Sequence, residues 1–380
     1  MAPRDYKSIS FRDSGALFLC RPDLDEGELI REQGKEMHGL VLQAKHLVRK
    51  PDDPPRTDLG RAAREVGVPH VHDPNTDVLA WHVGGKDTRF GRAGEMACAM
   101  VVDLPLDPSV LLADHSALEE FVRATISTQV SVSHPSPPYF RFAALDDPWL
   151  ELSLRAAEKA QRLSGGQQMA VFVNATLGCL ESGVLALAAA RYRTALPDGA
   201  IVFLSVGGLH SEDSEPDSLA SYIGAIDAFR AQGFEVIADR IARFGAAAVA
   251  AGARGYCAGT RVYRHAAAAP EATDIHRRGA RMQYEAPGRG DRIPRGDVAR
   301  RLKRGSIQAC SVPGCPIGTD MPVSVKDLRC HSIHLQQLEV AEAAELGQSA
   351  WIERLAESPR NFVRGWAEAL RLSRQAREAA

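Results

Sequence analysis

The sequence lacks the features that would place the chain in a membrane or in an oxidising compartment. No apolar run approaches the roughly 20 residues that a helix needs to span a bilayer. The N-terminal stretch Met1–Lys7 contains no apolar core of the kind found in signal peptides. The seven cysteines are too few for a disulfide framework in a chain of 380 residues. We therefore expect a cytoplasmic protein with reduced cysteines and no membrane association.

A strong excess of charge of one sign is also missing. The formal net charge is −2, with 25% charged and 45% hydrophobic residues, so the overall composition indicates no particular partner. Positive charge is concentrated locally between His265 and Arg304, where arginines greatly outnumber acids. Such a segment is either a solvated loop or a surface that attracts phosphate groups. The candidate phosphate contacts are Arg277, Arg278, Arg300, Arg301 and Arg304.

From Gly15 to Arg261, short apolar runs alternate with amphipathic stretches, the pattern of βα units. With one further strand near Val110–Ala113, eight units are present, which predicts an α/β protein with a (β/α)8 TIM barrel. An open doubly wound sheet gives the same alternation, but no G-x-G-x-x-G turn follows the first strand. The other predicted strands are Ala16–Cys20, His70–His72, Tyr139–Ala144, Ala170–Asn174, Ile201–Val206, Glu235–Ala238 and Gly255–Ala258. The predicted helices are Glu26–Lys50, Ser116–Thr128, Pro148–Leu163, Leu180–Leu196, Ser218–Gln232, Arg243–Ala251, Ser332–Leu346 and Ala350–Glu378.

The change of pattern after the predicted barrel divides the chain into five parts. Residues 1–14 form a leader and residues 15–261 the barrel. Residues 262–308 form the arginine-rich insertion, residues 309–346 a zinc-binding element, and residues 347–380 a helical tail. The zinc prediction rests on soft ligands that follow one another closely in the chain, a grouping typical of a structural Zn²⁺ site with no open coordination position. These ligands are Cys310, Cys315, Cys330 and His334.

The predicted active site lies at the C-terminal ends of the barrel strands, where TIM-barrel enzymes carry their chemistry. Carboxylates follow several strands, and converging carboxylates suit acid, base or nucleophile roles. Each also has a purely structural interpretation: Asp73 can cap a turn, Asp147 can cap a helix before Pro148, and Asp239 can pair with Arg240. The candidate catalytic residues are Asp73 and Asp239. The candidate substrate-binding residues are Asp146, Asp147, Asn174, Gly207, Gly208 and Leu209.

Two motifs resemble the tRNA-guanine transglycosylase superfamily, including its relatives that insert 7-deazaguanine bases into DNA. Gly207-Gly208-Leu209 resembles the family's base-binding loop, and Ser332-Ile333-His334-Leu335 resembles its zinc-histidine signature. The resemblance implies a barrel enzyme that exchanges guanine for a 7-deazaguanine in DNA or tRNA. It implies an aspartyl-glycosyl intermediate, with DNA slightly favoured and a homodimer or protein partner possible. It also implies that Asp73 is the general base and that Asp147 (or Asp146) and Asn174 hold the base.

One departure from that family concerns the nucleophile. The family carries an aspartate on the eighth strand, whereas this chain has Gly255–Arg261 without a carboxylate, so the nucleophile would have moved to Asp239. The first alternative is an inactive paralogue that binds nucleic acid or a partner subunit. The second alternative is an unrelated metal-assisted TIM-barrel hydrolase whose ligands are His70, His72, Asp73 and His210.

Overall fold

The structure is a computed structural model. It describes residues 16–20, 27–34, 37–44, 59–80, 96–129, 132–197, 199–258, 283–285, 292–307, 309–310, 315–317 and 323–379. Arg277 and Arg278, two of the predicted phosphate contacts, lie outside the described residues. So do the leader at residues 1–14 and much of the 262–308 insertion.

Eight parallel strands form one sheet, and a two-stranded hairpin follows them in the chain. The strands of the sheet are β1 (Ala16–Cys20), β2 (Gly39–Gln43), β3 (His70–Asp73), β4 (Arg141–Phe142), β5 (Met169–Thr176), β6 (Ala200–Gly207), β7 (Glu235–Ala238) and β8 (Gly255–Ala258). The antiparallel hairpin is β9 (Gln283–Glu285) and β10 (Arg292–Pro294). Strand order in the sheet is β3-β2-β1-β8-β7-β6-β5-β4.

This is the strand order of a (β/α)8 barrel, with the sheet open between β3 and β4. The segment that leads into β4 runs across this opening. Its Ser133 N–H donates to the His70 carbonyl at 2.9 Å, and the Thr76 hydroxyl donates to the Tyr139 carbonyl at 2.7 Å. The described part of the sheet therefore shows a mixed α/β fold in barrel order, without a closed hydrogen-bonded ring.

Helices cover the outer face of the sheet, and the last two helices of the chain pack on this helix layer. They are α1 (Gly27–Gln33), α2 (Leu59–Val66), α3 (Pro108–Ala113), α4 (His115–Ser127), α5 (Pro148–Leu163), α6 (Leu177–Glu181), α7 (Val184–Ala195), α8 (Pro216–Ala231), α9 (Phe244–Ala250), α10 (Arg295–Lys303), α11 (Val325–Ala356) and α12 (Asn361–Ala379). Short 3-10 helices occupy Thr76–Ala80 and Ala97–Val101. No helix in the described ranges is long and apolar enough to cross a membrane.

The number of predicted strands is confirmed, but one strand was assigned to the wrong segment. Val110–Ala113 belongs to α3, whose N-cap Asp107 accepts from the Ser109 N–H at 2.9 Å. The remaining strand is β2, which lies within the predicted helix Glu26–Lys50. Gly39 opens β2 against the Phe18 ring of β1, where a Cβ atom would lie 2.5 Å from a ring carbon.

Buried side chains from several strands pack together on the inner face of the sheet. Phe172 stacks on Phe203 with ring centroids 4.8 Å apart, and Phe18 meets Phe203 edge-on at 5.6 Å. Val71 of β3 belongs to the same buried cluster. Because side chains alternate along a strand, Asp73 also faces inward at the end of β3, whereas His70 and His72 face the helices.

A glycine in α9 allows a close approach between this helix and strand β8. A Cβ at Gly245 would lie 2.6 Å from the Tyr256 Cβ, and two ring atoms would be closer still. We expect Gly245→Ala to destabilise the fold by about 1–3 kcal/mol, because the overpacked helix must move away from β8. Urea denaturation measures this change. Gly224→Ala in α8, where a Cβ meets nothing within 4 Å, is the matched control.

The control should be neutral or stabilising by up to about 1 kcal/mol, since alanine is the better helix former. Equal midpoints and slopes for the two variants would show that α9 does not pack this closely on β8.

Candidate active site and candidate metal centre

Asp73, at the end of β3, is a fully buried carboxylate surrounded by donors. The Tyr139 hydroxyl donates to its Oδ1 at 2.9 Å, and the Asn75 N–H donates to the same oxygen at 3.0 Å. A guanidinium nitrogen of Arg240 lies 3.4 Å from its Oδ2. Hydrogen bonds donated to a carboxylate favour its charged form, so these three groups stabilise an anion in the interior.

The loop after β7 brings a second carboxylate to the same guanidinium. Arg240 Nε lies 3.6 Å from Oδ2 of Asp239, which is also buried. A terminal guanidinium nitrogen of Arg240 donates to the Tyr139 hydroxyl at 3.2 Å. The ion pair considered from the sequence is therefore present, and the same arginine also links Asp239 to Asp73. The two predicted catalytic carboxylates, at the end of β3 and in the loop after β7, therefore both contact the guanidinium of Arg240.

The backbone is strained beside both carboxylates. Asn75 has φ of 57°, Arg240 of 54° and Ala242 of 49°, values in the left-handed region that residues other than glycine seldom adopt. Such residues cost of order 1–3 kcal/mol each and cluster at functional sites. In this structure they place the Asn75 amide under Asp73 and turn the Arg240 side chain toward the interior.

Asn174 of β5, a predicted substrate-binding residue, also belongs to this cluster. Its Nδ2 donates to Asp77 Oδ2 at 3.3 Å, and the Asn75 Nδ2 donates to the other oxygen at 3.4 Å. The side-chain oxygens of Asn75 and Asn174 are buried and have no hydrogen-bond partner among the described residues. Nearby Arg141 has a pKa lowered by burial, an effect that the charge of Asp77 opposes. The two amide oxygens are acceptors available to a bound molecule.

Other predicted substrate-binding residues have structural contacts instead. Asp147 caps α5: its Oδ1 accepts from the Trp149 N–H at 3.0 Å and its Oδ2 from the Ala143 N–H at 2.7 Å. Asp146 is exposed, and Leu209 is fully buried in the core between sheet and helices. Gly207 ends β6, and Gly208 has φ of 89°, so glycine is needed there for the turn itself.

The described arginines of the predicted phosphate surface lie on or just after α10. Arg300 and Arg301 are exposed on the helix, and Arg304 is its C-cap. Arg300 pairs with Asp297 at 2.5 Å. This pairing is typical of a solvated helix face, the simpler of the two interpretations of the segment.

The histidines of the metal-hydrolase alternative do not gather into a ligand group. Among the described residues, the one set of three or more histidine, cysteine or acidic side chains placed to hold an ion is elsewhere. His70 and His72 stack at a centroid distance of 5.7 Å on the helix side of β3, away from the inward carboxylate of Asp73. Burial lowers the pKa of His72 to about 3, so this ring is neutral at physiological pH.

The set that does gather is Cys310, Cys315 and His331, whose ligand atoms all lie within 4.8 Å of one another. Cys315 Sγ is 3.4 Å from His331 Nδ1. The Tyr284 ring of β9 stacks on the His331 ring at a centroid distance of 4.5 Å, which fixes its orientation. Two thiols and an imidazole are the donors that zinc prefers, so these side chains fit the metal predicted from the sequence.

The predicted ligand set needs correction at two positions. His334 is turned away, with its Nε2 2.7 Å from Gln33 Oε1 of α1. Cys330 lies in the apolar cluster that joins α11 to α1 and α2, outside the three-residue group. The helical period explains the change, because His331 is about one turn from His334 and the two cannot be distinguished by chain spacing alone.

Sequence reasoning missed Tyr139 and Arg141, and it gave Arg240 only an ion pair with Asp239 and not its contact with Asp73. Tyr139 and Arg141 lie in a segment correctly predicted to be extended, but nothing in its pattern separates an inward tyrosine from a core one. Arg240 directly follows Asp239 in the chain, and this adjacency was the one sign in the sequence that Arg240 could join the cluster.

The chain was compared with family models, curated proteins and solved structures. No family model matches, and no curated protein matches. A GH10 xylanase of Thermobacillus composti has a TM-score of 0.34 at 11% identity, covering 61% of this chain and 68% of that one. A GH10 xylanase with a bacterial Ig-like domain from termite gut has 0.34 at 12%, covering 62% and 57%. A structure described as a mutant in complex with xylotriose has a TM-score of 0.38 at 10% identity, covering 67% of this chain and 88% of that one.

The expected membership of the tRNA-guanine transglycosylase superfamily is corrected: no family model matches the chain, and the solved structures found are described as xylanases or as a xylotriose complex. The assignment was wrong, and with it the predicted exchange of guanine for a 7-deazaguanine in DNA or tRNA. Asp147 and Leu209 give a residue-level reason: the former caps a helix and the latter is a core residue, so neither is placed to hold a base. TM-scores below 0.5 provide no argument for any activity of this chain.

Proposed function

We propose that the chain is a hydrolase that uses Asp73 as its catalytic carboxylate and acts on hydroxyl-bearing substrates. The observation that carries the proposal is Asp73 itself: a buried carboxylate at a strand end, held by Tyr139 and Arg240 beside a second carboxylate, Asp239. Carboxylates at the C-terminal ends of barrel strands are where such folds place their chemistry. A buried anion and the strained backbone beside it both lower the stability of the fold, and strain of this kind clusters at functional sites.

The acceptor atoms of the carboxylate cluster indicate the substrate class. The unpartnered oxygens of Asn75 and Asn174 can each accept one hydrogen bond, and the neighbouring carboxylates are acceptors as well. Hydroxyl groups of a substrate would supply the hydrogen-bond donors that these acceptors lack. A substrate that presents several hydroxyls, as a glycoside does, fits better than an apolar ester.

The proposed reaction is hydrolysis, in which water displaces a leaving group from an electrophilic carbon. Asp73 removes a proton from the water, whose oxygen forms the new bond while the carbon–oxygen bond to the leaving group breaks. The electron pair departs with that oxygen, which takes a proton from solvent, and Asp73 then releases its own proton. Arg240 stabilises the developing negative charge, and Asp239 holds Arg240 in place.

A chromogenic panel tests this function. We expect the protein to release p-nitrophenol from at least one p-nitrophenyl glycoside and to leave p-nitrophenyl acetate, which carries no hydroxyl, at the uncatalysed rate. Failure to cleave every glycoside, or cleavage of the acetate alone, would contradict the proposed substrate class.

A structural zinc ion at Cys310, Cys315 and His331 is the second proposal. It is supported by the convergence of the three donors, which come from a loop and from α11 and pack beside the β9–β10 hairpin. A metal bound there would join these segments and contribute to folding rather than to hydrolysis. It lies on α11, apart from the Asp73 cluster.

Metal analysis of purified variants tests the zinc site. We expect about one zinc per chain in the wild type. The zinc should be lost in Cys315→Ser and in His331→Asn, because each substitution removes a side chain that binds the metal directly. His334→Asn should retain zinc, since its ring contacts Gln33. Zinc that is lost in His334→Asn but kept in His331→Asn would restore the ligand set predicted from the sequence.

A further inference from the structure

A cavity of about 280 Å³ lies on the opposite side of β3 from Asp73. Its buried wall includes His72, Met96 and Cys98, and its rim includes Met100, which is 76% exposed. Pro74, between Asp73 and the strained Asn75, is part of the lining. The volume is near the lower end of small-molecule sites, which suits a one- or two-ring ligand.

Most polar groups of the lining are already satisfied by the protein. The Gln129 side chain exchanges two hydrogen bonds with the Ser136 backbone, at 2.6 and 2.7 Å. The Thr125 hydroxyl donates to the Phe121 carbonyl at 2.9 Å, and the Thr128 hydroxyl donates to the Thr125 carbonyl at 3.0 Å. These side chains form part of the cavity wall, but their donors and acceptors are largely used by the protein and leave few hydrogen bonds for a ligand.

His72 is the exception. Its side chain is 5% exposed, and within the described ranges no residue makes a hydrogen bond to its ring nitrogens. A buried imidazole in an apolar environment is normally hydrogen-bonded, because an unmatched polar group there costs free energy. Desolvation keeps the ring neutral, so it offers one nitrogen donor and one nitrogen acceptor.

We propose that this cavity binds a planar, largely apolar heterocycle that makes one hydrogen bond to His72. The thioethers of Met96 and Met100 supply polarizable contacts that favour an aromatic ring, and a bulky charged group would find no partner in the lining. The proposal does not rest on the hydrolase assignment. Because Pro74 adjoins the Asp73 turn, an occupant of the cavity would also contact the loop that carries the catalytic carboxylate.

Isothermal titration calorimetry with indole, a donor, and quinoline, an acceptor, tests the proposal on the full chain. At least one of the two probes should bind the wild type, with affinity reduced at least tenfold in His72→Phe, which keeps an aromatic ring but removes the nitrogens. If indole is the binder, 1-methylindole should bind the wild type as weakly as indole binds the variant.

Ala97→Leu provides a second variant, because Ala97 lines the cavity and a larger side chain narrows it without touching His72. It should also weaken the probe at least tenfold, with far-UV circular dichroism unchanged. Binding of neither probe to the wild type, or binding that both variants retain, would overturn the proposal.

Discussion

Asp73→Asn is expected to lower kcat/KM for the cleaved glycoside by about 10²–10⁴-fold, the range of an essential acid–base group. The asparagine side chain keeps nearly the same shape and can still accept from the Tyr139 hydroxyl and the Asn75 N–H. What it loses is the negative charge and the ability to take a proton from water. The change should therefore remove turnover while the native fold is kept, at a reduced free energy of unfolding, because the buried Arg240 guanidinium loses one of its two carboxylate partners. The measurement is p-nitrophenol release, with far-UV circular dichroism to verify folding.

Asp147→Asn is the matched control for this substitution. Asp147 was also predicted to touch substrate, but both of its oxygens accept from backbone N–H groups at the start of α5. Its asparagine variant should keep the wild-type rate, because asparagine is nearly as good a cap. Equal losses in the two variants would mean that the carboxylate cluster has no special catalytic role.

The parts of the fold that the sequence predicted well are those decided by local pattern. Helix α5 begins at Pro148 and ends at Leu163, as predicted, because Asp147 and Pro148 form an unambiguous start signal. The predicted strand Glu235–Ala238 is confirmed in full as β7. Amphipathic periodicity and turn residues act over a few positions, so they can be recognised without knowledge of the rest of the chain.

Strand β2 was missed because its decisive contact is not local. Gly-Leu-Val-Leu-Gln at Gly39–Gln43 continues the apolar character of the preceding helix, and only packing against Phe18 and pairing with β1 and β3 make it a strand. The choice of His331 over His334 has the same origin. Both imidazoles are on one helix, and their partners, Cys315 and Gln33, come from opposite ends of the chain.

The candidate active site was half-predictable for a related reason. Asp73, Asp239 and Asn174 follow apolar runs, so the strand pattern alone placed them at one end of the sheet. The groups that give the cluster its character are Tyr139 and Arg240, whose inward orientation depends on the open edge between β3 and β4 and on a left-handed backbone at Arg240. Neither feature has a signature in the sequence.

Arg240→Met is expected to destabilise the protein by about 3–5 kcal/mol, the cost of leaving buried charge without its partner. Arg240 is the described cation that contacts both Asp73 and Asp239, and its side chain is 15% exposed. Methionine keeps an unbranched side chain and the same left-handed backbone strain, so the loss reports the missing charge. Urea denaturation at neutral pH measures it.

Arg254→Met is the control, because Arg254 pairs with Glu235 at 2.6 Å but both side chains are well exposed, at 45% and 37%. An exposed pair contributes at most about 1 kcal/mol. The double variant Asp73→Asn with Arg240→Met completes a thermodynamic cycle, and it should be more stable than the two single losses predict, since the second substitution removes the charge that the first leaves unpaired. Additive losses would place Asp73 and Arg240 in separate interactions, and the carboxylate cluster would then lack the shared cation on which its chemistry depends.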